Sequence, residues 1–399
     1  MMTTWELSAV DTLFFKESRP MEAPGSSELG SVFPPPMRTI AGAIRSHIGE
    51  SRGDDWANYE SNQALKEIIG HGEDYANMHF QGVWLHYQGV RYYPAPLNLL
   101  AEYGKDKERE KIIKKGLLYV DQACECDLGR NVRLVSLPNG LKGKNALNQH
   151  WLNADGLASV MAGTFPDDKD ILPLTSILEE ENRLGIGRDN KKRVVKESML
   201  YQTRHLRLNK HSRISIDIEG LDGHLTEGIL KLGGEGRMAN LKNIAPELAQ
   251  KKDFPLPPEN IDNAIGIIIY LLTPMLLPEN SAFLPNFKIA ETDTETVWKG
   301  ELNNTPLTLV SSVIGKTHRE GGWDIAAHKP VAVKSMIPAG SVFYCEVCGA
   351  DGDTQDLASI LLSLNNTQIG EQQHLGRGHI ATGVWFANTD IKSTEGHAL

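Results

Sequence analysis

Apolar and polar positions alternate at the start of the chain. Trp5, Leu7 and Ala9 fall on one side and Glu6 and Ser8 on the other, which predicts an opening strand over "WELSAVDTLFF". The following "RPMEAPGSSELGSVFPPP" carries too much Pro and Gly for regular structure. In "MRTIAGAIRSHIG" the period lengthens: Ile40, Ile44 and Ile48 recur every four residues, an apolar helical stripe for which Gly49 is a natural C-terminal stop. Arg38 and Arg45, seven residues apart, share a face of that helix. Residues 50–170 show no such order and read as insertion.

Regular patterning returns with two strands, "RVVKESMLYQTRHLRL" and "SRISIDIEG", followed by the glycine-rich turn "LGGEGRMA". A Pro-rich linker, "KKDFPLPPENID", then separates this half from a second one. The second half opens on "AIGIIIYLLTPMLL", read as a strand buried on both faces, and passes through "TLVSSVIGK" and "AAHKPVAVKSMI". It closes with the strand "SVFYCEV", the amphipathic helix "TQDLASILLSLNN", the turn "LGRGHIAT" and the strand "IATGVWFA". The two halves share one order of elements. The expected fold is α+β: two tandem ferredoxin-like (RRM-like, βαββαβ) domains with antiparallel sheets and large insertions, divided as 1–250 and 251–399. Four-stranded antiparallel sheets of this kind are also the RNA-recognition fold.

Both turns carry Gly-x-Gly-x-x-Ala: Gly234, Gly236 and Ala239 after Gly233 in the first, Gly376, Gly378 and Ala381 in the second. A dinucleotide-binding fingerprint needs a helix and the rest of a βαβ unit of roughly 30 residues behind it. Ala381 is followed by a strand-like segment close to the end of the chain, so no nucleotide cofactor is expected. A turn without Cβ atoms also lets backbone N–H groups approach an anion, and Arg237 and Arg377 sit inside these turns. The alternative is a tight crossover that needs only a positive φ.

Charge sharpens the picture. The net charge is −10, yet Asn182 to Arg213 holds ten Lys/Arg against two acids, leaving −18 on the remainder. A basic hairpin over 182–213 on an acidic body suits a polyanion on one side and protein neighbours elsewhere, or is simply a solvated hairpin. The longest apolar run is too short for a membrane span and contains Pro274, and four cysteines make no disulfide framework. A cytoplasmic, non-membrane protein is expected. Cys124, Cys126, Cys345 and Cys348 form two pairs in different halves, so reduced thiols are favoured over a zinc site.

Taken in order, "DTLFFKESRP", "LGSVFPPPMRTIAGAIR", "LGIGRDNKKRVVKESMLY", "LKLGGEGRMA" and "LGRGH" resemble the third-subunit family of the Cmr module, the type III-B CRISPR effector, within the RAMP superfamily. Met21 and Met37 depart from its pattern, and 280–370 carries little of it. The resemblance implies a non-catalytic subunit in antiviral defence. Such a subunit grips the 5′ handle of the CRISPR RNA, docks the large polymerase-like subunit and neighbouring backbone RAMP subunits, and meets target RNA only indirectly. No cofactor and no metal are expected. Carried onto this chain, the RNA contacts are Arg38 and Arg45; Gly185, Gly187, Arg188, Lys191, Lys192 and Arg193; Arg204, His205 and Arg207; Gly233, Gly234, Gly236 and Arg237; and Gly376, Arg377, Gly378 and His379. Base stacking would fall to side chains such as Tyr201 or His205. The enzyme alternative is a metal-independent endoribonuclease using His47, His205 or His379 as general base.

Overall fold

A computed structural model describes the chain except residues 1, 19–26, 107–108, 139–140, 142–144, 190–193, 222, 245–253, 293, 325–328, 348–353 and 388–399; for 27, 105–106, 109–111, 187–189, 194–200 and 354–356 it describes the backbone alone. The opening alternation forms β1 (Thr3–Ala9), after which the chain leaves the sheet and is bridged at Leu13 to Leu206 of the strand Val194–Leu208. The Ile40, Ile44 and Ile48 stripe forms α1 (Met37–Arg52), with all three side chains fully buried. The stop is Gly53, at φ 75°, and not Gly49. Gly49 lies inside the helix against Trp56, where a Cβ would come within 2.5 Å of the indole. Its lack of a side chain serves packing.

An eight-stranded sheet holds the first half. Its main strands are β1, β2 (His79–Tyr87), β3 (Ser212–Glu219), β4 (Gly228–Lys231) and β5 (Met238–Ile244), running β2-β3-β1-β5-β4, with Val90–Pro94, His150–Leu152 and Ile171–Pro173 continuing beyond β2. Part of the expected insertion is therefore the second strand of the sheet. Its pattern is unreadable because both faces are covered: Leu85 packs with α1 while the adjacent Trp84 packs on the other side.

The second half forms a six-stranded sheet from β6 (Ala264–Leu271), β7 (Thr305–Val313), β8 (Val342–Val347) and β9 (Ile380–Phe386), with α2 (Thr354–Leu364) preceding β9. The order is β7-β8-β6-β9, with Thr296–Leu302 and Lys288–Glu291 outside β7. In both sheets the first strand lies between the third and the last, the second lies outside the third, and the named pairs are antiparallel. The helix complement differs from the expected βαββαβ. Among the described residues, α1 is the long helix of the first half and α2 that of the second. Leu65 and Ile69 of the short helix Gln63–Ile69, with Leu221 and Leu225, complete the first core, and Leu284, Phe287 and Trp298 complete the second.

Three cores follow from these strands. α1 covers the outer face of the first sheet through Trp5, Leu7, Ile214, Ile216 and Ile218. α2 covers the outer face of the second through Ile267, Ile269 and Leu271. Between the sheets, Trp84 and Tyr93 meet Ile268, Tyr270, Leu272, Tyr344 and Trp385, joined by the helix Ala154–Met161. β6 thus contributes alternate residues to two cores, which is why it reads as an unbroken apolar run. A polar network is sealed beside the middle core: Asp217 binds Arg91 through two hydrogen bonds of 2.9 and 3.0 Å, and accepts from Thr4 Oγ1 and Trp84 Nε1. No helix among the described residues is long and apolar enough to cross a membrane.

Candidate nucleic-acid interface

The basic segment is a long hairpin, Leu178–Asp189 against Val194–Leu208, with Ser27–Leu29 parallel to its second strand. It begins four residues earlier than the charge window, and Arg213 belongs to β3. Alternation divides its residues into two faces. One carries Leu184 and Gln202 with Arg204, which pairs with Glu28 and Glu180. The other carries Glu181, Arg183, Thr203, His205 and Arg207, with Gly185 beneath the ring of Tyr201, where a Cβ would lie 2.2 Å from the ring.

The first glycine turn joins this second face. Gly233, at φ 82°, would place a Cβ 2.3 Å from the Phe14 carbonyl oxygen, and Gly234 N–H donates to that same oxygen at 2.8 Å. Gly236, at φ 65°, faces open space. Arg237 donates to Asp11 at 3.3 Å, and Asp11 also receives Arg183 at 3.0 Å and Arg207 at 3.1 Å. Glu181 holds Arg183 and Arg207 at 2.7 and 2.6 Å. The guanidiniums lower both carboxyl pKa values, Arg183 contributing most at Asp11 and Arg207 most at Glu181. Glu235, in the turn itself, acts electrostatically on His205 and Tyr201, so three guanidiniums face three carboxylates. His205 lies beneath it, buried, stacked on Phe14 with centroids 5.1 Å apart, and flanked by the hydroxyls of Thr12 and Thr203, each at 3.1 Å.

The second turn sits elsewhere. Its residues Leu375 to His379 are buried, and the turn meets β2: Phe80 N–H donates to the His374 carbonyl at 2.8 Å, and Gly376 would place a Cβ 2.9 Å from the Gly82 oxygen. Arg377, 4% exposed, is held by buried Glu320 and by Gln372. His379, 1% exposed, stacks on Phe254, meets Trp84 edge-on, and gives its Nε2 hydrogen to Asn366 Oδ1 at 2.8 Å. Burial pushes its pKa down to about 4. The two turns share a pattern but not an environment. Asp217 on one side of this seam and Glu320 on the other are each neutralised by an arginine.

Arg38 and Arg45 share a side of α1 and meet the 70–78 loop. Arg38 pairs with Glu73, and Arg45 donates to the Gly72 carbonyl at 3.1 Å while lying 4.9 Å over the Tyr75 ring. Gly187 and Arg188 are described in backbone only, and Lys191, Lys192 and Arg193 lie outside the described residues. Sequence reasoning missed Asp11, Glu181 and Arg183 as members of the cluster. Its available signal was the run Glu179–Glu181 just ahead of the basic window, which pairs back across the hairpin. Cys345 is buried in β8, Cys124 is exposed on the strand Tyr119–Cys126, and no group of metal ligands forms among the described residues.

An α+β protein with two mainly antiparallel sheets and an arginine-rich cluster beside a glycine turn is what the geometry defines. Residues 5–385 match the model of the family described as CRISPR-associated protein (Cas_Cmr3), and the chain belongs to that family as a Cmr3-type protein. Over 111 residues it is 31% identical to the CRISPR system CMR subunit Cmr3 of Saccharolobus solfataricus, a match covering 27% of this chain and 31% of that relative. Solved structures of similar shape include a Type III-B Cmr-beta cryo-EM structure bound to cognate target RNA and AMPPnP (TM-score 0.46, 16% identity, 86% of each chain). A Csm1–Csm4 cassette in complex with AMPPNP is a more distant likeness (TM-score 0.32, 11% identity, 85% of this chain and 97% of that one).

Proposed function

We propose that this chain is a non-catalytic, RNA-binding subunit of a cytoplasmic type III-B CRISPR effector. In this reading it grips the 5′ handle of the CRISPR RNA with the hairpin and the first glycine turn and docks a large polymerase-like subunit and backbone neighbours through its acidic remainder. Each half is read as a ferredoxin-like unit that has kept one of its two helices, with the boundary near residue 250. The observation that carries the reading is the convergence of Arg183, Arg207 and Arg237 beside the exposed Gly233–Arg237 turn, in a member of a CRISPR-associated family. Guanidinium forks match phosphate oxygens, and such contacts supply salt-dependent affinity. The second turn, with Arg377 and His379, is assigned here to the seam between the sheets.

Of the two readings, the endoribonuclease draws no support from the histidines it would use. His47, His205 and His379 are all buried, and each has a ring nitrogen within hydrogen-bond distance of a neighbouring oxygen. The test is to assemble the effector with guide RNA photolabelled in its handle and map the crosslinked peptides. Crosslinks to 178–208 and 232–239 are expected; a handle that labels other subunits and never this chain would overturn the assignment.

A further inference from the structure

The arginine cluster already contains an oxyanion. Asp11 stands two residues past the end of β1, just ahead of the buried Thr12, Leu13 and Phe14, and accepts from three guanidiniums at 3.0, 3.1 and 3.3 Å. Both its oxygens are used: Oδ2 by Arg183 and Arg237, Oδ1 by Arg207. Its side chain is 47% exposed, against 24% for Arg237, 30% for Arg183 and 45% for Arg207, so Asp11 and Arg207 form the outer side of the cluster. Behind it the arginines keep a second anchor, because Glu181 binds Arg183 and Arg207 without Asp11. Arg237 also has a buried Nε without a partner, beside the open space at Gly236.

A carboxylate that presents two oxygens to three forks on the outer side of a site occupies the place of the two non-bridging oxygens of a phosphodiester. We propose that Asp11 is a resident competitor: it fills an oxyanion site that one RNA phosphate takes by displacing it, so that strands making few other contacts are rejected. The proposal rests on the RNA-binding reading above. Glu181 stays in place as the buttress that keeps Arg183 and Arg207 aimed.

The test compares wild type with Asp11→Asn, which keeps the shape and removes the charge, after equal thermal midpoints establish that both are folded. The probes are a fluorescein-labelled single-stranded RNA of unrelated sequence and inorganic tripolyphosphate. Freeing one cation for one more phosphate should steepen the dependence of log affinity on log salt by about 0.7 and tighten RNA binding about fourfold near 0.15 M salt. Tripolyphosphate should stabilise the variant more than the wild type in thermal shift. Adding Arg207→Gln to Asp11→Asn should cancel the gain. If Asp11→Asn binds RNA equally or more weakly, with no added response to tripolyphosphate, Asp11 only positions the arginines; the proposal then falls while RNA binding stands. If neither protein binds RNA but tripolyphosphate discriminates between them, the oxyanion site stands and the RNA reading fails.

Discussion

At the scale of single residues, buried charge decides which substitutions matter. Arg377 and Glu320 are both nearly inaccessible, and removing one strands the other in a low-dielectric seam. Arg377→Met is expected to cost about 3–5 kcal/mol in urea denaturation, whereas Arg377→Met with Glu320→Leu should recover most of that loss. A double variant as unstable as the single one would mean that the pair is not the source. Histidine gives the pH dependence. Burial holds His379 and His86 at a pKa of about 4, with the Arg91 charge adding to the effect at His86, against an unfolded value of 6.5. Both rings are neutral in the fold while the unfolded chain takes up protons, so stability falls as pH drops from about 6.5 to 4 and this contribution then levels off. His379→Gln should make the slope of unfolding free energy against pH shallower by up to about one proton in that window. Burial raises the Asp217 pKa, but the Arg91 ion pair and the hydrogen bonds from Thr4 and Trp84 outweigh it and lower the net value. The loss from Asp217 therefore comes at more acid pH.

Among the elements, the two glycine turns separate a shared pattern from a shared role. Both need positive φ, at Gly233 and Gly236 in one and at Gly376 and Gly378 in the other. Only the first leaves room outside. A Cβ on Gly378 would lie 1.8 Å from the Ile369 oxygen, while one on Gly236 meets nothing within 4 Å. Gly236→Ala should therefore cost about 1–2 kcal/mol, the left-handed backbone penalty alone. Gly378→Ala should cost several times more or prevent folding, because Ile369, whose N–H donates to the Gly378 carbonyl at 2.9 Å, cannot move aside. Thermal unfolding of the two variants side by side measures this, and equal midpoints would contradict it. The hairpin teaches a related lesson: its base is less basic than its composition, since Glu28, Glu180, Glu181 and Asp11 answer Arg183, Arg204 and Arg207.

For the molecule as a whole, the middle core ties the halves together. The second sheet buries Ile268, Tyr270, Tyr344 and Trp385 against the first half and its helix Ala154–Met161, and the Tyr270 hydroxyl donates to the Val160 carbonyl at 2.9 Å. A fragment comprising residues 254–399 would expose that face to water, an apolar patch that promotes aggregation. It should be insoluble or elute as aggregate in size-exclusion chromatography, with the full chain unfolding in one transition. A monomeric, folded fragment would show that the halves are independent.

What the chain determined by itself is local. The Ile40, Ile44 and Ile48 stripe, the apolar run of β6 and the β-branched closing strands carry their periods in their own residues, because one buried face or two suffices to set them. The order of motifs carried the family. Tertiary structure decided where the chemistry gathers. Asp11, Arg183, Arg207 and Arg237 are separated by up to 226 positions and meet only because β1 and β5 are neighbours and the hairpin folds back beside them. It also decided which glycine turn faces water. A shared glycine spacing says nothing about what packs outside a turn, and that depends on the strand which the other half of the chain lays against it.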